Sequence, residues 1–277
     1  MKKIIVPVDF SQHSEFALKA AALLAKKENA EIYVLHMLDM IENSVNESLN
    51  YQHEKTIFLL KLAEKKFKTF LNKEYLKGLK VNPIIKHYKV FSEVNEIAKE
   101  ENADLIIMGS HGASGLKEFF VGSNTEKVIR FSEIPVLVVK NELTDLAFDN
   151  IVFPTDFSDE LVNTYVQAKQ VVKTFNGKLH LLYVNTPYDN FKTSAEMENM
   201  CVNFLNKAEG NSNMLNEINY ISDRTIEKGI LNFSNSVGAD LIAISTHGRK
   251  GLSHVFKGSL SEDIANHSSL PILTFKI

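Results

Sequence analysis

The stretch that decides the fold is Ile4-Ile5-Val6-Pro7-Val8-Asp9-Phe10-Ser11, a short apolar run that ends in a turn. The chain repeats it as Ile151-Val152-Phe153-Pro154-Thr155-Asp156-Phe157-Ser158, and the two prolines are 154 − 7 = 147 residues apart. A short β-branched run predicts a strand, and the Asp-Phe-Ser that closes it predicts a tight turn. The chain therefore carries one strand and its turn twice.

A second repeat gives the size of the duplicated unit. Residues 103–112 read Ala-Asp-Leu-Ile-Ile-Met-Gly-Ser-His-Gly, and residues 239–248 read Ala-Asp-Leu-Ile-Ala-Ile-Ser-Thr-His-Gly, at an offset of 239 − 103 = 136. The second copy is thus 147 − 136 = 11 residues shorter, between its second and third strands. A period of about 140 residues is too long for a solenoid unit and fits a duplicated domain. We predict two domains, 1–140 and 148–277, with the linker between them.

Within each copy, β-branched runs alternate with helical patterns. In the first copy the predicted strands are 3–8, 31–37, 82–87, 104–109 and 135–139. This alternation is typical of βαβ units around a parallel sheet. The fourth and fifth strands are nearly continuous apolar runs, as expected when helices cover both faces of a sheet. Each copy is predicted to be a doubly wound, Rossmann-like α/β domain with a five-stranded parallel sheet.

Composition excludes several classes of protein. The 277 residues are 44% hydrophobic and 23% charged, as in ordinary globular chains. The 31 Lys and Arg against 34 Asp and Glu give a net charge of −3, so nucleic acid is not an expected partner. The single cysteine cannot form an intramolecular disulfide, and no signal-peptide pattern or apolar run long enough to span a bilayer is present. We expect a soluble cytoplasmic protein with no membrane partner.

Two segments of each copy are expected to meet at one edge of the sheet. Ligands of doubly wound sheets bind outside the carboxyl ends of the strands, where the strand order reverses. The turn after strand one brings Asp9 there in the first copy and Asp156 in the second. The loop after strand four brings Gly109, Gly112 and Gly122, which precede a helix whose free N–H groups suit a phosphate.

The spacing Gly109-x2-Gly112-x9-Gly122-Ser123, with the Pro-x-Asp-x-Ser of strand one and the Pro-led final strand, resembles the ATP-binding signature of the universal stress protein family. The resemblance covers both copies, and the duplication resembles the tandem-domain members of that family. It implies an adenine-nucleotide alpha-hydrolase-like fold and a stress-response or signalling protein that binds ATP, ADP or AMP, with Mg²⁺ as an optional companion. The binding residues that it implies in the first copy are Pro7, Val8, Met37 and Met108 around adenine and sugar, Asp9 at the ribose, and Gly112, Gly122, Ser123 and Asn124 at the phosphates, with Gly109 as the first glycine of the loop.

The second copy departs from this pattern at one position. Ser245 stands where the first glycine belongs, and its Cβ would either obstruct a ligand or forbid a positive φ. Nucleotide is therefore expected in the first copy, and binding in the second stays open. The matching residues of the second copy are Thr155, Asp156, Val184, Gly248, Gly258 and Ser259.

Each of these residues also has a purely structural interpretation. Ser123-x-x-Glu126 and Ser259-x-x-Glu262 match a capping box, which needs no ligand. An aspartate in a turn commonly accepts backbone N–H groups, and a glycine serves any tight loop. The alternative function is a nucleotide-free scaffold or interaction protein of the same fold.

Other chemistries find little support in the sequence. It lacks a P-loop, a G-x-G-x-x-G after the first strand and a G-x-S-x-G elbow. His111 and His247 have no Cys or second His at metal-ligand spacing. We name no catalytic residue and no metal site, and a slow ATPase is a third alternative.

Two surface features concern partners. Residues 55–89 contain ten lysines, and Leu60, Ala63, Phe67, Leu71 and Tyr75 give this run an apolar stripe. We interpret it as a solvated helix packed on the sheet, with an acidic partner surface as the alternative.

The two final strands, 135–139 and 271–275, are apolar edges that need cover. By resemblance to single-domain relatives, which dimerise through this strand, we predict that they pair within the chain as an intramolecular pseudo-dimer. A further homodimer and unnamed protein partners stay open.

Overall fold

A computed structural model gives the structure of the protein. The residues that it describes are 1–38, 49–87, 90–110, 122–187, 191–246, 264 and 266–277. The chain divides into two compact units, the first formed mainly by residues 1–145 and the second mainly by 146–277.

The first unit is an α/β domain whose strands run in the order β3-β2-β1-β4-β5. The pairings of β1 with β2 and β4, and of β2 with β3, are parallel. Each strand ends within one residue of its predicted position. The elements are β1 (Lys3–Pro7), α1 (Gln12–Glu28), β2 (Glu31–Leu38), α2 (Leu49–Phe70), β3 (Val81–His87), α3 (Val90–Glu100), β4 (Leu105–Gly109), α4 (Ser123–Phe131) and β5 (Val136–Val139).

The second unit repeats this order as β8-β7-β6-β9-β10. The predicted fold class, two doubly wound α/β domains, is confirmed. The helix between the second and third strands has 22 residues in the first unit and 16 in the second, in line with the shorter second copy. The elements are β6 (Asn150–Pro154), α5 (Val162–Phe175), β7 (Lys178–Asn185), α6 (Ser194–Glu209), β8 (Asn219–Ser222), α7 (Ile226–Ser236), β9 (Leu241–Thr246) and β10 (Ile272–Lys276).

Small side chains let α1 lie close to the sheet. Ala17, Ala20 and Ala21 recur at helical spacing and are all completely buried. The strand beneath them, β4, is buried along its whole length. Ser11 begins the helix by accepting a hydrogen bond from the Ser14 N–H.

The repeated aspartates at 104 and 240 hold the amino ends of the sheets. The Asp104 carboxylate accepts hydrogen bonds from the backbone N–H groups of Lys2 and Lys3. Asp240 accepts one from the Asn150 N–H in the same way, at 2.9 Å. This repeat is therefore structural, and it lies just before β4 and β9, at the end of the sheet opposite the candidate site.

Only the first part of the basic run, residues 55–70, lies in α2. Ala63 and Phe67 are buried as the predicted stripe requires. The helix ends at Phe70, however, so the prediction that the apolar stripe continues to Tyr75 on the same helix is wrong. Tyr75 lies in a separate 3₁₀ helix, Glu74–Leu76. None of the helices within the described ranges has both the length and the apolar character needed to cross a bilayer.

Candidate functional site

The strand order of the first unit reverses at β1, which has β2 on one side and β4 on the other. At this switch point three neighbouring strands end in apolar side chains. Val8 follows β1, Met37 lies near the end of β2 and Met108 near the end of β4, and all three are buried. Pro7 pairs with Leu35 in the register of β1 and β2. The carboxyl edge of the first unit is thus lined by apolar groups.

The turn after β1 is held by the side chain of Asp9. Its Oδ1 accepts a hydrogen bond from the Ser11 N–H at 3.0 Å, which is the structural role foreseen for a turn aspartate. The next residue, Phe10, has φ = 65°, a left-handed conformation that is unusual for a bulky side chain. Its ring packs edge-on against Phe67 and Phe70, at centroid distances of 5.1 and 5.4 Å. Asp9 itself remains exposed at the edge of the sheet.

His36, on β2, holds the residue that follows β1 through a side-chain hydrogen bond. The sequence pattern did not identify His36. Its Nδ1 lies 2.8 Å from the Val8 carbonyl oxygen. Because a carbonyl only accepts, Nδ1 carries the hydrogen and donates it. Burial lowers the pKa of His36, and Lys66 lowers it further, against the raising effect of the Val8 bond. The ring also stacks at a tilt on Phe10, at 4.4 Å. Only the pairing of β1 with β2 brings these groups together.

Gly109 is required by the packing of α1 on β4. A Cβ built on it would lie 2.5 Å from the carbonyl oxygen of His13 and 2.6 Å from the carbonyl carbon. Its φ is outside the left-handed region, so conformational freedom is not the reason for glycine. In the first unit a Cβ at this position would therefore clash with helix α1, a contact that the sequence pattern did not predict.

Helix α4 begins without a side-chain cap. Gly122, with φ = −62°, is the N-cap, so Ser123 is the first helical residue and the expected Ser123–Glu126 capping box is not formed. Ser123 and Asn124 are exposed. By contrast, Ser11, Thr193 and Thr225 cap α1, α6 and α7.

Two hydrogen bonds fasten this uncapped helix start to the end of β4. The Gly122 N–H donates to the Ser110 carbonyl at 2.6 Å, and the buried Thr125 hydroxyl donates to the Gly109 carbonyl at 2.9 Å. Within the described part of the chain, no side chain caps the first turn of α4. Uncapped N–H groups at a helix start attract anions.

The second unit builds the same turn with different surroundings. Asp156 Oδ1 accepts from the Ser158 N–H at 2.9 Å, and Phe157 has φ = 56°. The buried Thr155 hydroxyl also accepts from the Phe157 N–H, at 3.0 Å, where the first unit has Val8. The Thr155 hydroxyl at this edge therefore stabilises the turn of its own unit.

Two further contacts distinguish the edge of the second unit. Asn185 is buried; its Nδ2 donates a hydrogen bond to the Lys192 carbonyl, and its Oδ1 accepts one from the Lys192 N–H, each at 3.0 Å. Helix α7 lies so close to Val184 that a Cβ on Gly229 would be 2.5 Å from its Cγ1. Val184, predicted to line a nucleotide site, thus packs directly against a helix.

Ser245 is accommodated because α5 starts differently from α1. It is completely buried in β9. His13, which blocks a Cβ in the first unit, corresponds by the 147-residue offset to Glu160. Glu160 lies in the 3₁₀ helix Asp159–Leu161, and α5 begins only at Val162. The serine therefore reflects a change in helix packing.

Several predicted residues lie outside the described part of the chain: Gly112, Gly248, Gly258 and Ser259. The loop histidines His111 and His247 lie outside it as well. In the ranges that are described, no three His, Cys, Asp or Glu side chains group as a metal site requires.

Comparison with known proteins identifies the family. The model of the universal stress protein family matches residues 1–140 and again residues 147–276. The chain belongs to the universal stress protein family. Universal stress protein MJ0577 of Methanocaldococcus jannaschii is 36% identical over 155 residues, which are 51% of this chain and 96% of that protein. The family assignment confirms the resemblance read from the repeated motifs.

Two further relatives show how this universal stress protein compares in length. Universal stress protein YxiE of Bacillus subtilis is 32% identical over 152 residues, 50% of this chain and 98% of that protein. The crystal structure of a universal stress protein from Archaeoglobus fulgidus covers 99% of this chain and 98% of its own, at 26% identity and a TM-score of 0.65. Single-domain relatives thus match half of the chain, whereas the archaeal structure matches nearly all of it.

Proposed function

We propose that this universal stress protein binds ATP or a related adenine nucleotide at the carboxyl edge of its first unit and acts as a cytoplasmic stress-response or signalling protein. The observation that carries the proposal is the convergence at the switch point. Val8, Met37 and Met108 present apolar side chains there, and β4 leads to the uncapped start of α4. Family membership supports the same assignment.

The chemistry of these groups fits the parts of a nucleotide. Apolar side chains suit the faces of an adenine ring. The uncapped N–H groups at the start of α4 suit phosphates, whose charge they would share with Mg²⁺ if the metal accompanies the nucleotide. The exposed carboxylate of Asp9 suits a ribose hydroxyl. The residues that we propose to hold the nucleotide are Pro7, Val8, Asp9, Met37, Met108, Gly112, Gly122, Ser123 and Asn124, with Gly109 seating α1.

We assign one nucleotide to each chain. In the second unit, Thr155 and Asn185 direct their polar groups to backbone within the unit, and Val184 packs against α7. With Thr155 and Asn185 where the first unit has Val8 and Leu38, this edge has fewer apolar side chains to contact a base. A second site would use Thr155, Asp156, Val184, Gly248, Gly258 and Ser259.

We also propose the domain limits 1–140 and 148–277, with the final strands of the two domains paired as a pseudo-dimer. A homodimer would be a further level of assembly. Sedimentation of the full chain separates the two cases, since a pseudo-dimer alone sediments with the mass of one chain, 31.3 kDa.

The first experiment measures the nucleotide that the purified protein carries. Denaturing the protein and chromatographing what it releases is expected to give about one equivalent of adenine nucleotide per chain. About two equivalents would show that the second unit binds as well. No nucleotide, together with no calorimetric heat on adding ATP and magnesium, would favour the scaffold function.

Gly122→Val tests the placement of the site. Gly122 has φ = −62° and ψ = 147°, which valine adopts readily, so the fold should persist while the branched side chain blocks the phosphate position. The matched control is Gly258→Val at the corresponding position of the second unit. Unchanged ATP affinity in Gly122→Val, with an unchanged circular dichroism spectrum, would contradict the site. Phosphate release above background that Gly122→Val removes would establish the slow ATPase.

A further inference from the structure

Helix α2 presents large apolar side chains to solvent. Phe58 is 65% exposed, Ile57 43% and Leu62 38%. The opposite side of the helix already buries Ala63 and Phe67 against its own unit. The exposed residues are therefore not needed to hold the helix on the sheet, and exposing them costs favourable burial.

Lysines lie among these apolar residues. Phe58, Lys61, Leu62 and Lys65 follow the i, i+3, i+4, i+7 spacing of one helix face. Lys61 and Lys65 are exposed, and so is Lys68. Within the described ranges, none of these three lysines forms an ion pair with an acidic side chain.

The helix as a whole is basic in a chain that is not. It contains five lysines and no arginine, against Glu54 and Glu64, while the chain carries a net charge of −3. Both glutamates are exposed and reduce the local charge without balancing it. The five lysines are Lys55, Lys61, Lys65, Lys66 and Lys68.

The duplicated helix α6 shows what the fold itself requires. Phe67 packs edge-on against Phe10 at 5.1 Å, and Phe204 packs in the same way against Phe157 at 5.2 Å. These contacts align α2 with α6 at an offset of 204 − 67 = 137.

At this offset the two outer faces differ in every relevant residue. Phe58, Lys61 and Leu62 correspond to Ala195, Glu198 and Asn199, all three exposed. The same position in the fold therefore tolerates a small, an acidic and an amide side chain. The apolar and basic character of α2 is an addition to the fold.

We propose that the outer face of α2, defined by Ile57, Phe58, Lys61, Leu62 and Lys65, binds reversibly to the surface of an anionic lipid bilayer. Interspersed Lys and large apolar side chains suit an interface between charged headgroups and acyl chains. Lysine is a strongly hydrated point charge that needs no fixed partner geometry, whereas protein interfaces are enriched in arginine and depleted of lysine. The proposal departs from the expectation of no membrane partner, which rested on the absence of an apolar run long enough to span a bilayer.

The experiment is sedimentation of the full chain with vesicles. Vesicles of phosphatidylglycerol and phosphatidylcholine are compared with phosphatidylcholine alone, each at low and high salt. We expect binding to the anionic vesicles that weakens as salt screens the lysines. The test variant combines Phe58→Ala, Lys61→Glu and Leu62→Asn, which places in α2 the residues that α6 carries.

The triple variant is expected to bind anionic vesicles at least about tenfold more weakly, because it loses an aromatic anchor and reverses a charge. Glu198→Gln on α6 is the matched control and should bind as the parent chain does. An unchanged circular dichroism spectrum and nucleotide content would show that the fold and the proposed nucleotide site are intact.

Three results would overturn the proposal. One is equal binding to neutral and anionic vesicles, and another is a triple variant that binds like the parent. The third is no vesicle binding, combined with self-association or binding to polyglutamate that the triple variant loses, which would make this face a protein interface. None of these results depends on whether the first unit binds nucleotide.

Discussion

The carboxyl edges of the two units share a backbone and differ in chemistry. At or next to the ends of its first, second and fourth strands, the first unit has Val8, Leu38 and Gly109; the corresponding residues of the second unit are Thr155, Asn185 and Ser245. Both units hold the turn after the first strand with an aspartate and a left-handed phenylalanine. The turn is therefore common to the fold, whereas the polarity of the edge is particular to each unit.

Under the proposed function, the first unit keeps a ligand edge that its duplicate has changed. In the second unit Thr155 and Asn185 are buried, and each side chain is hydrogen-bonded to nearby backbone. In the first unit the edge is apolar and leads to a helix start without a side-chain cap. Exchanging residues between the units tests which differences matter.

The largest effect is expected from Gly109→Ser, which installs the residue of the second unit in the first. The new Cβ would meet the His13 backbone at 2.5 Å, so α1 must move. We expect the free energy of unfolding to fall by about 3 kcal/mol, measured by urea denaturation. The reverse exchange, Ser245→Gly, should cost about 1 kcal/mol or less. Equal, small losses would show that α1 shifts freely.

A loss of about 2 kcal/mol is expected from Asn185→Leu, which installs the residue found at Leu38. The substitution removes the partner of both the N–H and the carbonyl of Lys192. Asn185→Asp keeps the acceptor for the Lys192 N–H but places a buried carboxylate oxygen against the Lys192 carbonyl, so it should lose at least as much, which urea denaturation of both variants measures. Equal stability of Asn185→Leu and the parent would mean that water replaces both bonds.

The turn aspartates should contribute equally to stability and unequally to binding. Asp9→Ala and Asp156→Ala each remove one side-chain bond to a serine N–H, so each should cost about 1 kcal/mol. Only Asp9→Ala is expected to weaken ATP binding in calorimetry. Asn at either position keeps the acceptor and is the control for the turn. If Asp9→Ala binds ATP with the parent's affinity, the ribose contact is wrong.

The smallest effect concerns pH. The pKa of His36 is lowered from 6.5 by burial, so below pH 6.5 the unfolded chain takes up the proton first. The free energy of unfolding therefore declines as the pH falls from 6.5 towards the folded pKa, and it is unaffected by this group above 6.5.

His36→Tyr installs the residue of the second unit, Tyr183, and should remove this contribution. The measurement is the difference in unfolding free energy between about pH 7.5 and about pH 5.5, which should shrink by up to about 1 kcal/mol. His180, whose pKa burial also lowers, keeps its own contribution in both proteins. A difference as large as in the parent chain would mean that His36 is not involved.

Local pattern in the chain was sufficient for the architecture. Strand ends fell within one residue because β-branched runs closed by turn residues specify strands over a few residues. The repeated Pro-x-Asp-x-Ser also predicted the turns at Asp9 and Asp156, since an aspartate bonds to its own backbone two residues on.

The sequence alone determined the duplication, the α/β class, the family resemblance and the short-range turns, because each depends on residues close together in the chain. Only the tertiary structure decided why Gly109 is glycine, which nitrogen of His36 carries the hydrogen, and that Gly122 rather than Ser123 caps α4. Those facts depend on α1 meeting β4, on β1 pairing with β2, and on the hydrogen bond from the Gly122 N–H to the Ser110 carbonyl. A contact between distant segments leaves no periodic pattern in the sequence. The motif spacing could therefore identify a residue such as Gly109 but not the groups that it contacts.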